Sequence, residues 1–383
     1  MVDCRSLRIV TWLALLASIA LLVVCSSSAS AQIIYQNDFE DDPVGTYTVS
    51  NLAADWNGVT SNDGVDEGRV SIADDADALG KSLVVMYPEG ESNNGKSQWR
   101  APLNGSYDEL YLSYKIRFDE NFNFVRGGKL PGLCGGACNS GGSQPNGTDG
   151  WSGRMMWRTA PSGGSSLPPH RANIVQYVYH KDQTANGGVN GDDLKWDDTT
   201  PTDWKIFDSD VWYQLQHRIV MNTPGQDDGI VQAWLDGEMV LDVQNIHFRD
   251  TTALKIDTLY FSTFFGGSSS VWETTKDEYA YYDDFIVSTQ FINTSPFSAD
   301  FDGDYKVDGT DLGMWETAYN SNAGGDADGD LESSGLDFLL WQQQHTGSAA
   351  SLSAAIAAVP EPATVLLLGG LGPMALLMRP RRA

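Results

Sequence analysis

Hydrophobic and polar positions alternate in short runs over most of the chain between Gln32 and Ser295. In Glu109–Phe118 every second position is apolar, as expected for a strand with one buried face. Asp236-Gly237 predicts a two-residue hairpin turn. Since no helical period is sustained before residue 300, residues 32–295 are predicted to form one all-β domain, a jelly roll or β-sandwich. Further runs rich in Val, Ile, Tyr, Phe and Trp, separated by turn residues, are Ser82–Tyr87, Asn173–His180, Trp212–Met221, Ile230–Leu235, Met239–Val243, Thr258–Phe264 and Tyr281–Ser288.

The pattern changes at residue 300, where oxygen-bearing side chains occupy positions 1, 3, 5, 9 and 12 of two twelve-residue loops, 26 residues apart. This spacing is typical of calcium loops of the EF-hand kind, although Tyr305 and Leu331 replace the usual glycine at position 6. A short helix is predicted after each loop. The predicted ligands are Asp300, Asp302, Asp304, Asp308 and Asp311 in the first loop, and Asp326, Asp328, Asp330, Ser334 and Asp337 in the second.

Residues 298–346 resemble a type I dockerin in this paired arrangement. The resemblance implies a small α-helical module that binds Ca²⁺ and a cohesin-like partner protein. A calcium-dependent spacer is the alternative function for the same sequence. An Ala/Ser-rich linker follows at 347–358.

The two ends of the chain are typical of targeting segments. Residues 1–31 combine Arg5 and Arg8, an apolar run and a small-residue exit, which together indicate a secretory signal peptide. Residues 359–383 contain Pro-Glu-Pro, a short apolar run broken by glycines, and a basic end. This tail resembles the PEP-CTERM sorting signal of Gram-negative bacteria, which implies processing by an exosortase-type enzyme and a secreted or cell-surface location. A simple tail anchor is the alternative.

Two of the four cysteines lie in the predicted signal peptide, which leaves Cys134 and Cys138. In an oxidising compartment this pair predicts a local disulfide. A metal site is not expected there, because two thiols without clustered histidines offer too few ligands.

Charge is distributed unevenly along the sequence. The chain carries 51 acidic against 24 basic residues, a formal net charge of -27, yet Asp149 is the only acidic residue between Arg126 and Lys181. A basic segment in an acidic chain favours a site for an anionic ligand, because the local field decides what a cleft attracts. No nucleic-acid partner is expected; an anionic polysaccharide suits the aromatic residues interleaved with the cations.

The residue types of this segment suit β-elimination on a uronic-acid polymer. That reaction needs a group that neutralises the substrate carboxylate, a base for the C5 proton and an acid for the leaving oxygen. Lys129 lies in a glycine-rich turn, Ser152 and Arg154 share one strand face, and so do Tyr177 and Tyr179. No metal is required when cations do the neutralising.

Four motifs carry a specific resemblance: GGKLPGL at Gly127–Leu133, WSGRMMWR at Trp151–Arg158, YVY at Tyr177–Tyr179, and FFGG at Phe264–Gly267 with Trp272 after it. Together they resemble the family-14 polysaccharide lyases, which include alginate lyases and related uronan lyases with a β-jelly-roll fold.

The resemblance implies catalytic roles for Lys129, Ser152, Arg154, Tyr177 and Tyr179. Lys129 would be the base or the carboxylate neutraliser, Ser152 and Arg154 would hold the substrate carboxylate, and the tyrosines would serve in proton transfer. The segment 159–173 is longer than expected between the motifs and could form a loop over the cleft. Further substrate-binding candidates in the same window are Arg126, Arg158, Gln176, His180 and Lys181.

Three functions compete at this point. The first is a secreted, endo-acting lyase for alginate or glucuronan that needs no catalytic cofactor. The second is a non-catalytic carbohydrate-binding protein of the same fold, and the third is a structural surface protein. A hydrolase is disfavoured because the basic segment lacks a pair of carboxylates.

Overall fold

The computed structural model describes residues 32–59, 61–75, 80–159, 167–196, 204–295, 297–303, 306–328 and 332–345. The predicted signal peptide, the linker and the C-terminal tail lie outside the described residues, as do Asp304, Asp330 and residues 160–166 of the long segment between the motifs. The chain divides into two units. Apart from the hairpin tip Asp236–Glu238, the first unit ends at Ile292 and the second begins at Asn293.

The first unit contains a nine-stranded sheet, in which the strand order is β14-β13-β12-β6-β16-β4-β3-β2 and β1 pairs with the remaining length of β16. In this sheet, the strand pairs with a defined residue register are antiparallel. Its strands are β1 (Ile33–Asn37), β2 (Gly45–Thr46), β3 (Val70–Asp75), β4 (Gly80–Tyr87), β6 (Glu109–Phe118), β12 (Trp212–Val220), β13 (Gly229–Leu235), β14 (Glu238–Ile246) and β16 (Glu278–Ser288).

A seven-stranded antiparallel sheet has the order β10-β9-β8-β7-β15-β5, with β11 on the same edge of β9 as β10. A short helix, α1 (Val49–Asp55), precedes β3 and is capped by Thr48. The strands of this second sheet are β5 (Ser97–Tyr107), β7 (Gly127–Gly136), β8 (Gly150–Arg158), β9 (Arg171–Tyr179), β10 (Asp192–Lys195), β11 (Ile206–Asp208) and β15 (Ile256–Phe265).

The inner faces of the two sheets share one hydrophobic core, so the predicted all-β sandwich is confirmed. Aromatic rings fill much of it: Trp99 and Phe261 stack with their centroids 4.0 Å apart, and Trp157 packs edge-on against Phe118 at 5.4 Å. Burying each such side chain contributes about 1.5–3 kcal/mol. The core therefore holds the two sheets together. The outer face of the seven-stranded sheet is not part of this core and is free to form a site.

A β-bulge in β7 determines which of its side chains reach that outer face. Lys129 pairs with Met156 on β8, whereas Gly132 pairs with Arg154, so three steps on β7 match two on β8. The extra residue reverses the alternation, since Leu130 remains in the core while both Lys129 and Gly132 face outward. Pro131, which has no N–H to donate, lies within the bulge, where a proline is tolerated.

The second unit contains two helices, α2 (Gly309–Ala318) and α3 (Gly335–Gln344), each with a capping box. The two halves of the sequence repeat contact each other through matching hydrogen bonds. Trp315 on α2 donates to the carbonyl of Ser334, which caps α3, and Trp341 on α3 donates to the carbonyl of Asp308, which caps α2, both at 2.8 Å. Among the described residues, no helix is both long enough and apolar enough to cross a membrane.

Candidate active site

A cleft of about 560 Å³ lies on the outer face of the seven-stranded sheet. Five adjacent strands contribute to its floor in the order β9, β8, β7, β15 and β5. Because outward-facing residues on paired strands lie side by side, the register predicts which side chains meet there. Tyr177 and Tyr179 lie opposite Arg154 and Ser152, and Tyr260 lies opposite both Gly132 and Arg100.

Lys129 lies at the centre of this floor and is almost fully buried. Its ammonium is 3.7 Å from the centroid of the Tyr177 ring and 2.7 Å from the sulfur of Met156. Among the described residues, no carboxylate lies within ion-pair distance of it. Burial, followed by the nearby positive charges of Arg158 and Arg154, holds the pKa of Lys129 well below its usual value, and Asp193 partly offsets this.

The two tyrosines of β9 form a hydroxyl pair next to this lysine. Their oxygens are 3.3 Å apart, and their rings pack edge to face at 5.3 Å. Burial, and then the hydrogen bond to Tyr179, raises the pKa of Tyr177, so its phenol stays protonated near neutral pH. Tyr179 also accepts a hydrogen bond from the backbone N–H of Gly142 at 3.2 Å.

Arg154 extends across β7 toward β15. Its guanidinium donates to the Ser262 hydroxyl at 3.1 Å and lies 5.0 Å from the centroid of the Tyr260 ring. Glycine at position 132 leaves room for Arg154, because a Cβ atom there would lie 2.5 Å from the Arg154 Cα. Burial alone would raise the pKa of Tyr260, but Arg154, a hydrogen bond from Ser140 and Arg100 together leave it below its usual value.

The cleft contains residues that the sequence did not indicate. Gln98 and Arg100 of β5, with Lys96 just before it, complete the side opposite the tyrosine pair, and Tyr260 lies between. Gln98 accepts hydrogen bonds from the hydroxyls of Tyr260 and Ser262 at 3.1 and 3.0 Å. The alternation of polar Gln98 and Arg100 with buried neighbours was a signal for one exposed face, but it did not reveal which strand lay beside it.

The electrostatics of the cleft are one-sided. Its charged residues are all basic, and no carboxylate is among the described residues that line it. A larger pocket of about 660 Å³ has the opposite character, since Asp38, Asp41, Asp42 and Asp55 line it without a described cation. Charge thus assigns an anionic ligand to the smaller cleft. Its five cations are Lys96, Arg100, Lys129, Arg154 and Arg158.

A tryptophan and two arginines mark one end of the cleft. The guanidinium carbons of Arg126 and Arg158 lie 5.2 and 5.3 Å from the Trp272 ring centroid. Arg158 and Trp272 line the cleft, and Arg158 also pairs with Asp193 at 3.3 Å. Arg126 is not among the described residues that line the cleft.

Five sequence-predicted site residues do not line the cleft, so their contact with a substrate stays a prediction: Arg126, which lies against Trp272, and Gln176, His180, Lys181 and Ser152. Gln176 alternates with the tyrosines, so its amide lies between the sheets and bonds His217 on β12 at 3.0 Å. His180 hydrogen-bonds Asp192 at 3.0 Å, and Lys181 forms an ion pair with Asp250 at 2.8 Å. Ser152 has the predicted facing, but it is fully buried and donates to the carbonyl of Asn139 at 2.6 Å.

The predicted disulfide between Cys134 and Cys138 is confirmed. It lies at the end of β7, on the strand that carries Lys129. The segment after it brings Ser140, Gly141 and Gly142 to the edge of the cleft.

This domain is similar to known proteins in both sequence and structure. The family model described as polysaccharide lyase 14 matches residues 75–285, more than half of the chain. No curated protein matches the chain in sequence.

Solved structures of alginate lyases are similar over the same domain. The alginate lyase Aly36B is 27% identical, with a TM-score of 0.54, and the match covers 67% of this chain and 96% of that chain. A variant of Aly36B in complex with alginate trisaccharide gives 26% identity, 67% and 98% coverage and a TM-score of 0.56. The marine alginate lyase from Aplysia kurodai, at 23% identity, 68% and 100% coverage and a TM-score of 0.54, shares the fold.

Proposed function

Since this chain belongs to polysaccharide lyase family 14 and is therefore a polysaccharide lyase, we propose that it cleaves an alginate-type polyuronate by β-elimination in the cleft described above. The observation that carries the substrate class is the cleft itself, which is lined by five cations in a chain whose formal net charge is -27. The family also decides between the enzyme and the non-catalytic binding protein, in favour of the enzyme.

Arg154 is the proposed partner of the substrate carboxylate. Ser262 and Tyr260 hold its guanidinium in the cleft floor, where its planar fork of N–H donors matches a carboxylate. Charge neutralisation at this carboxylate makes the C5 proton more acidic and stabilises the negative charge that develops when the proton leaves.

Lys129 is the proposed base and Tyr179 the proposed acid. The lowered pKa of Lys129 increases the fraction of neutral amine that can take the C5 proton. The C5–H electron pair forms the C4=C5 double bond as the C4–O bond breaks, and the leaving oxygen receives the Tyr179 proton. Tyr177 stays protonated, and its ring face holds Lys129 in place.

Alginate is the substrate that the relatives favour. Two of the structural relatives above 25% identity are described as alginate lyase Aly36B, one of them with a bound alginate trisaccharide. The Trp272 indole, beside Arg126 and Arg158, offers a surface for a further sugar ring and its carboxylate.

The proposal is tested by ultraviolet absorbance of the unsaturated product. Full-length protein is incubated with alginate, polymannuronate, polyguluronate and glucuronan, beside Lys129→Ala and the control Lys115→Ala. Lys115 is an ion-paired lysine on β6 of the other sheet. We expect product from native protein and from the control, and loss of at least ~10²-fold in kcat for Lys129→Ala, as is typical when a general base is removed. Absence of product on all four polymers would refute the polyuronate assignment.

We further propose that the second unit is a dockerin-like calcium module. Carboxylate oxygens of Asp300, Asp302 and Asp311 lie within 4.8 Å of one another, and those of Asp326, Asp328 and Asp337 repeat the arrangement. An all-oxygen donor set of this kind fits Ca²⁺. Two other predicted ligands have a second task, since Asp308 and Ser334 cap α2 and α3. The partner of such a module would be a cohesin-like protein.

Export is the remaining proposal. The signal-like residues 1–31 and the PEP-CTERM-like residues 359–383 support secretion or surface display with exosortase-type processing. Fractionation of cells expressing the tagged chain tests it: we expect mature protein at the surface or in the medium, and cytoplasmic retention of the intact chain would contradict it.

A further inference from the structure

The segment Cys134–Ser143, here called the disulfide loop, contacts the cleft residues at three separate points. The Ser152 hydroxyl donates to the carbonyl of Asn139, and the Gly142 N–H donates to the Tyr179 oxygen. Cys134 and Cys138 pack against Tyr260. The loop therefore connects β8, β9 and β15 from one side of the cleft.

The disulfide itself is part of this contact. Cys134 and Cys138 are buried and pack with the ring of Tyr260 in one small cluster. Cys138 has a positive φ of 51°, so the chain turns sharply where the bridge closes it. The cross-link thereby joins the strand of Lys129 to the residues that touch Tyr179 and Tyr260.

We propose that the disulfide loop is the positioning element of the active site, and that Ser152 acts through this loop rather than on the substrate. The inference rests on the proposed function. It assigns Ser152 a different role from the one that the family resemblance implies, since its hydroxyl is fully buried, already bonds Asn139 and does not line the cleft.

The loop acts on orientation. Without the Gly142 donor, the Tyr179 hydroxyl loses one of the two hydrogen bonds that fix its position beside Tyr177. Without the bridge, Tyr260 loses its packing against the two cysteines. Since proton transfer requires the acid within hydrogen-bond reach, a displacement of about 1 Å slows the chemical step by up to ~10²-fold.

The test compares Ser152→Ala, the pair Cys134→Ser/Cys138→Ser, and all three substitutions together, in the full-length chain. Ser82→Ala is the control, because Ser82 is also a fully buried strand serine but lies on β4 of the other sheet. We measure kcat and KM on alginate, with thermal melting to verify folding. Native protein treated with dithiothreitol provides the same comparison without substitutions, should the cysteine variant fail to fold.

We expect Ser152→Ala and bridge removal each to lower kcat by about 10- to 100-fold with KM little changed, and the triple variant to be no worse than the poorer of the two. Non-additivity would identify one shared element. A raised KM with unchanged kcat in Ser152→Ala, and effects that multiply in the triple variant, would overturn the proposal by placing Ser152 on the substrate. If native protein released no product at all, the proposed function would fail first.

Discussion

Asp193 influences the reactivity of Lys129 without touching it. Burial and two guanidiniums hold the pKa of Lys129 low, while Asp193, paired with Arg158, acts in the opposite direction. The proposed base would be active as the neutral amine, so kcat/KM should rise with pH as Lys129 loses its proton.

Asp193→Asn should therefore move the ascending limb of the kcat/KM profile to lower pH. Removing the carboxylate leaves the positive charge of Arg158 uncompensated beside Lys129, and its protonated form becomes less favourable. The profile is measured on alginate by ultraviolet absorbance. Asp208→Asn is the matched control. Asp208 lies on β11 and pairs with Arg171 on β9, which is not a cleft residue. A shift to higher pH, or an equal shift in the control, would contradict the assignment of Lys129 as the base.

At the scale of elements, the two faces of β9 have different neighbours: one face contacts β12 between the sheets, and the other lines the cleft. Gln176 bonds His217 between the sheets, and burial lowers the pKa of His217 to about 3, so the ring is neutral at working pH and can accept this bond. Tyr177 and Tyr179, next to Gln176 on the same strand, face the cleft instead.

Gln176→Leu should destabilise the domain by about 1–3 kcal/mol, because the buried ring nitrogen of His217 loses its partner. We expect a lower melting temperature with kcat and KM unchanged. Gln98→Leu provides the opposite case, because Gln98 lines the cleft and should affect KM or kcat. A change in KM without a change in melting temperature for Gln176→Leu would return this residue to the substrate site.

Strand alternation explains which parts of the site were accessible from sequence. It correctly placed Arg154 with Ser152 and Tyr177 with Tyr179, because each pair lies within one regular strand. Lys129 required a motif, since the bulge at Pro131 breaks the alternation that would otherwise assign its face. Arg100 and Tyr260 were missed because their contribution depends on β5 and β15 being neighbours in the sheet, a pairing of residues far apart in the chain. Hydrogen bonds such as Ser152 to Asn139 depend on a loop path that no periodicity encodes.

At the scale of the whole molecule, the two units should respond to calcium separately. If the acidic loops bind Ca²⁺, a chelator removes stabilising free energy from the second unit, because the ion binds the folded form. The cleft contains no predicted calcium ligand, so cleavage at the first unit should continue.

We therefore expect chelation to lower one thermal transition in calorimetry while the initial rate on alginate stays unchanged. Asp311→Asn and Asp337→Asn should each weaken one of two sites in calcium titrations. Glu316→Gln on α2 is the control, an acidic residue outside both predicted loops. Unchanged transitions with and without chelator would refute the calcium module, and loss of cleavage would refute the independence of the units.

The grouping of five cations without a carboxylate in one cleft has a consequence for movement through a gel. A polyuronate matrix is itself a dense polyanion, and a protein with a basic exterior would adsorb to it at random. Here the overall charge of -27 opposes such adsorption, and mobile ions screen that repulsion within about 10 Å, so a strand can still enter the cleft. Retention in the matrix should therefore occur mainly at the catalytic groove, and transport between cleavage events should be limited by pore size rather than by binding.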